Sequence, residues 1–198
     1  MLVKLWIVLG IVTLGLANHC IWIYIMNKII WTVGHSTRGI DELIGLISSY
    51  GIEAVVDVRT VSRSRMNPQF NKDSLEQTLP DAGIEYMHQK DLGGLRHPVK
   101  DSVNAAWRND SFRGFADYMQ TPEFEEALSW LIEIAQQKHT AIMCAEILPW
   151  RCHRSLIADA LLVNGFEVVE IFEVGKSRLH KMTSFAVVQD GKVTYPAT

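Results

Sequence analysis

The sequence predicts an α/β protein: a three-layer, Rossmann-like domain with a mainly parallel sheet of about five strands, helices on both faces and a small C-terminal hairpin. Two observations predict it. Short apolar runs rich in β-branched and aromatic residues alternate with stretches of helical spacing from Lys28 to Gly175. Such alternation implies right-handed crossovers and a parallel sheet covered on both faces. Near the C-terminus, Asp190-Gly191 sits between two apolar runs, a hairpin signal.

The elements follow in order. KIIWTVG (28–34) reads as the first strand. In GIDELIGLISSYG, Ile40, Leu43, Ile44 and Ile47 fall at helical spacing, and Gly51 supplies a stop. IEAVVDVRT (52–60) is a second buried strand, followed by the polar loop SRSRMNPQF (62–70). NKDSLEQTLPDAG (71–83) is a short helix, expected to break near Pro80 and stop at Gly83. IEYMHQKDLGG (84–94) is a third strand running into a glycine turn. Residues 93–114 show no period and read as a long loop or active-site flap. TPEFEEALSWLIEIAQQ (121–137) has Thr121 as N-cap, Pro122 at the first helical position and acidic residues in the first turn. HTAIMCAE (139–146) is a fourth strand, PWRCHRSLIADALLVNG (149–165) a helix ended by Gly165, and FEVVEIFEVG (166–175) a fifth strand. TSFAVVQDGKVTYP (183–196) forms the hairpin.

Residues 1–25 are set apart from the domain expected over 26–198. They are almost continuously apolar after Lys4, long enough for one membrane anchor, yet Asn18 and His19 interrupt them. Met26 directly precedes the first strand, so a start assigned too early is the other reading. A cytoplasmic domain follows from either, and a membrane partner only if residues 1–25 are translated.

The 198 residues allow one domain with a real core, and a net charge of −3 advertises neither a nucleic-acid nor a membrane partner. Three cysteines, Cys20, Cys144 and Cys152, have no framework spacing and suit reduced thiols.

In parallel sheets ligands bind beyond the carboxyl ends of the strands. There the sequence gathers Gly34, His35 and Ser36; Asp57 and Arg59; Gly93 and Gly94; and Cys144 and Glu146. Arg151, Cys152, His153 and Arg154 fall near the first turn of the following helix, whose free N–H groups favour anions and lower thiol pKa values. Bland readings stand beside these: Cys144 as a small core residue, His35 as a strand cap, Asp57–Arg59 as a structural ion pair. The two cysteines lie eight residues apart, a weak zinc spacing, so no cofactor is required and zinc stays open as an alternative. The phosphatase signature fails, because Trp150 stands where an arginine is needed and Arg151 comes one residue late.

TVGHST, VVDVRTVSRSRMNPQFNKDSL, GIEYMHQKDLGG and CAEILPWRCHRSLIADAL, in that order, resemble the bacterial and archaeal domain-of-unknown-function family DUF488, over about Ile29 to Phe172. The resemblance implies an α/β fold with a parallel sheet. It also implies signature positions at His35, Ser36, Asp57, Arg59, Ser64, Pro68, Phe70, Gly93, Gly94, Cys144, Glu146, Cys152, His153 and Arg154. It implies no activity. The chemistry points to an enzyme, hydrolase- or transferase-like, acting on a nucleotide, nucleic acid or other phosphorylated substrate. Glu146, Asp57, His35 and Cys144 are its candidate catalytic groups. Arg59, Ser36, Ser64, Arg151, Cys152, His153, Arg154, Gly93 and Gly94 are candidates for the anion site. The alternatives are a non-catalytic nucleic-acid or nucleotide-binding module using the 62–70 loop, and a redox or metal-binding domain built on Cys144 and Cys152.

Overall fold

Residues 29–197 are described by a computed structural model; the expectations for residues 1–25, Cys20 included, lie outside them. The strands β1 (Ile29–Gly34), β2 (Ala54–Asp57), β3 (Glu85–His88), β4 (Thr140–Cys144), β5 (Glu167–Glu173) and β6 (Lys176–Leu179) form one sheet in the order β3-β2-β4-β1-β5-β6. All neighbours are parallel except β5 and β6. The helices are α1 (Ile40–Ser49), α2 (Lys72–Asp81), α3 (Asp110–Tyr118), α4 (Pro122–Gln137) and α5 (Arg154–Val163). The two-stranded hairpin of β7 (Val187–Gln189) and β8 (Lys192–Thr194) turns at Asp190-Gly191 as expected.

Alternation along the strands sorts the core into two halves. Trp31, Val33, Val55, Ala141 and Met143 pack with Leu43, Leu46 and Ile47 of α1 and Leu75 and Leu79 of α2. Ile30, Val56, Ile142 and Val168 pack with residues of α3, α4 and α5 on the other face. Strands buried on both faces, whose alternate residues turn to opposite layers, and i, i+3, i+4 burial in α1 make the three layers.

Four departures from the sequence reading have physical causes. The end of the 93–114 stretch is helical: α3 is capped by Asn109, whose Oδ1 accepts from Ser111 N–H at 2.9 Å. Gly114 hides this helix from a propensity reading. It is glycine because a Cβ there would lie 2.6 Å from the carbonyl carbon of His97. Strand β6 was not expected; Gly175, at φ 72°, turns the chain back after β5. Helix α2 does not break at Pro80 but carries it in its last turn to Asp81. The expected helix over 149–165 is split: a 3-10 turn at Pro149–Arg151, an extended Cys152, then α5 from Arg154.

Strand order brings the site together. The register pairs Gly34 with Cys144, and Asp57 with both Met143 and His88, so these strand ends share one edge. Neighbours β1 and β4 send their helices to opposite faces of the sheet, the arrangement that opens a crevice at the carboxyl edge.

Candidate active site

The backbone beyond β4 crosses the end of β1. A Cβ on Gly34 would stand 2.6 Å from the Ile147 Cα, so only glycine lets the 145–148 loop pass. His35 and Ser36 N–H groups bond the carbonyls of Cys144 (2.9 Å) and Ala145 (3.0 Å), prolonging the pairing past the strands. Ser36 itself has φ 51°, an uncommon conformation for a residue with a side chain. Arg38, which the sequence reading passed over, buttresses this crossing through its Nη2 on the Phe172 carbonyl at 2.6 Å.

Cys144 and Cys152 meet at the head of the crevice. Their sulfurs and a His153 ring nitrogen all lie within 4.8 Å of one another. The Cys144 thiol donates to Cys152, which holds Cys152 well below the ordinary thiol range. His153 and Arg154 act in the same direction, against the effect of burial. That same bond and burial push Cys144 up. His153 Nε2 donates to the Val58 carbonyl at 3.0 Å, so its Nδ1, 3.6 Å from the Cys152 sulfur, is the ring atom left facing the thiol. Gly94 makes room for that ring: a Cβ there would lie 2.7 Å from His153 Cγ.

Arg154 is fully buried. Its Nε donates to Cys152 Sγ at 3.4 Å, its Nη1 to Thr32 Oγ1 at 2.7 Å and its Nη2 to the Glu146 carbonyl. Arg154 therefore lies beneath the thiols, its donors turned inward. The anion role suggested by its place at a helix start has no free N–H fork to serve it.

Asp57 is likewise engaged. Arg59 grips it at 2.8 and 2.6 Å, and Tyr86 Oη donates to it at 2.8 Å. Burial opposes ionisation, but the Arg59 bonds hold this carboxyl below its usual range. Arg59 Nη1 donates to His35 Nε2 at 3.1 Å, which leaves His35 Nδ1 to donate to the Ser36 carbonyl at 2.8 Å. Burial, with the nearby Arg59 charge, drives the His35 pKa down to about 4. The ring is neutral at pH 7 and stacks on Phe70 at 4.1 Å. Asp57, Arg59 and His35 form a continuous buried lattice in the edge of the sheet. Tyr86 completes it without any sequence signal beyond its place in a strand.

The expected residues divide between two adjoining cavities. One, of about 500 Å³, is bordered by Arg59, Gly94, Cys144, Glu146, Arg151 and Cys152, with His153 at its wall. Glu146 Oε1 accepts from Leu148 N–H at 3.1 Å, and Arg151 is exposed. The other, of about 400 Å³, is bordered by His35, Ser36, Arg59, Arg63, Ser64 and Asn67. Arg59, Val61 and Ala145 belong to both, so the two form one trough. Asp57, Gly93 and Arg154 border neither.

Fold and site together define a three-layer α/β protein with a paired-thiol centre at the carboxyl edge of its parallel sheet. Residues 39–161 match the family described as domain of unknown function DUF488, and the chain belongs to that family. The first-strand motif around His35 lies before the matched span. No curated protein and no solved structure matches the chain. Among the described residues no helix is long and apolar enough to cross a membrane.

Proposed function

We propose that this chain is an enzyme acting on a phosphorylated or nucleotide substrate, with Cys152 as its nucleophile. The observation that carries the reading is the Cys152 sulfur, bordering a cavity while three neighbours stabilise its thiolate. The sequence pointed to Cys144, but His153 Nδ1 at 3.6 Å and the Arg154 Nε donor at 3.4 Å both meet the Cys152 sulfur and favour the anion there. Arg151 in one half of the trough, and Arg63, Ser36 and Ser64 in the other, suit a phosphate, while Arg59 between them is taken up by Asp57, His35 and the Phe70 carbonyl. The thiolate attacks the electrophilic phosphorus or carbon, and the leaving group departs with the proton from His153 Nδ1. Glu146 then takes a proton from water, whose oxygen attacks the thio-intermediate and frees the Cys152 thiolate; the proton returns to His153.

Iodoacetamide alkylation across pH tests the thiolate. Cys152 is expected to react with a midpoint well below the ordinary value of about 8.5. A screen of phosphomonoesters and nucleotides should then yield a turnover that Cys152→Ser abolishes. Glu146→Gln should lower that turnover by roughly 10²–10⁴-fold while retaining binding. An ordinary alkylation midpoint, or full turnover in Cys152→Ser, would refute the assignment.

One observation favours a second reading. Cys144, Cys152 and His153 are a Cys₂His donor set of the open catalytic kind. The Arg154 charge against the Cys152 sulfur opposes a cation there. Stoichiometric zinc in purified protein, absent from Cys152→Ser, would decide for the metal.

A further inference from the structure

A second cavity, of about 780 Å³, lies between α5 and the β5–β6 hairpin, bordered by Trp107, Trp150, Glu170, Arg178, Lys181 and Thr183. None of these residues takes part in the trough described above.

Three features of its wall point to one ligand chemistry. Trp150 is 49% exposed, and the Arg178 guanidinium carbon sits 4.6 Å above its ring. A large indole half in solvent and flanked by a cation is a stacking platform for a flat ring. The Trp107 indole N–H is buried and finds no acceptor among the described residues. Burying such a donor unpaired is unfavourable, and a ligand oxygen or ring nitrogen would satisfy it. The charges complete the pattern. Asp159 and Glu170 are matched by His180 and Arg178, leaving Lys181 as one positive charge in excess. Arg178 engages Glu170 through Nε at 2.5 Å, and its Nη groups have no acceptor among the described residues.

We propose that this cavity binds a nucleotide unit, its base stacked on Trp150 and hydrogen-bonded to Trp107, its phosphate facing Arg178 and Lys181. A nucleobase supplies both the π face and the acceptor, and its phosphate supplies the negative charge. The cavity abuts the trough. Trp150 and Arg151 are consecutive residues that border one cavity each. Ser155 Oγ donates to the Cys152 carbonyl at 2.9 Å, and Trp107 stacks at 4.7 Å on Phe112, which borders the thiol cavity. The unit bound here is therefore a neighbour of whatever reacts at Cys152. That link alone rests on the proposed function; the binding does not.

The test is binding of a fluorescein-labelled thymidine octamer and of thymidine monophosphate, read by anisotropy and by tryptophan quenching. Trp150→Ala, Trp107→Phe and Lys181→Glu are compared with the wild type. Trp150→Ala should weaken binding by roughly 10-fold or more, as loss of a base-stacking contact does. Trp107→Phe and Lys181→Glu should each weaken it several-fold. Octamer binding without monophosphate binding identifies the unit as part of a strand, and equal binding of both identifies a free nucleotide. Binding of neither, or binding indifferent to Trp150→Ala and Trp107→Phe, overturns the proposal. Alkylation of Cys152 in the same samples reports an intact fold in the variants. It also separates the two ideas: an ordinary thiol midpoint alongside Trp150-dependent binding removes the nucleophile and leaves this site standing.

Discussion

Folding stability measured against pH, in the wild type and in His180→Gln, tests the clasp that fastens the C-terminal residues to α5. His180 lies between two carboxylates, with Nε2 2.9 Å from Asp159 Oδ1 and Nδ1 2.8 Å from Glu170 Oε1. Burial alone would lower its pKa, but the bonds to Asp159 and Glu170 raise it from 6.5 to about 9. At about 1.36 kcal/mol per pH unit that rise corresponds to roughly 3 kcal/mol. Arg178, on the same network, is half in solvent, so screening cuts the figure to about 2 kcal/mol. The sign follows from a raised folded-state pKa. The contribution is fully present below the unfolded value of 6.5 and is lost as pH rises through about 9. Cys152, with its lowered pKa, acts in the opposite sense over part of this range, but equally in both proteins. Urea titrations between about pH 6 and about pH 9.5 should therefore show the wild type's advantage over His180→Gln shrinking by about 2 kcal/mol. Parallel curves would show that His180 carries no proton in the folded protein, and the clasp would be mis-described.

Two further substitutions probe the edge of the sheet. Asp57→Asn leaves the buried Arg59 without its carboxylate and should cost about 3–5 kcal/mol in denaturant midpoint analysis; a cost under about 1 kcal/mol would mean the ion pair is incidental. Gly94→Ala drives a Cβ into the His153 ring, so its expected effect is a higher Cys152 alkylation midpoint with a stability loss of only about 1–3 kcal/mol. An unchanged midpoint would remove His153 from the thiol's environment.

The convergence of strand ends was legible because it needs only the alternation of strands and helices, and His35, Asp57, Cys144 and Glu146 do sit at the same edge. The division of labour among them was not. Asp57 and Arg59 read as either an ion pair or catalytic groups, and only the bidentate grip and the Tyr86 hydroxyl decide for pairing. Which thiol ionises depends on the extended Cys152 between a 3-10 turn and α5, and a helical reading of 149–165 runs straight through that break. Strand β6 escaped because all four of its residues are exposed, so no buried face marks it in the sequence. The clasp of Asp159, Glu170 and His180 spans three separate elements and has no local motif at all.

The position of β4 has a consequence for how the protein is made. Fourth of the parallel strands in the chain, it lies between β1 and β2, the first two. Those strands cannot pair with each other, so until Thr140–Cys144 has been synthesised each keeps an open edge with apolar side chains on both faces. The strand that joins the two halves of the sheet is also the one that ends in a thiol. The chain is most prone to stray strand pairing while half-synthesised, and the step that covers the facing edges of β1 and β2 also delivers the Cys144 thiol to the edge of the sheet.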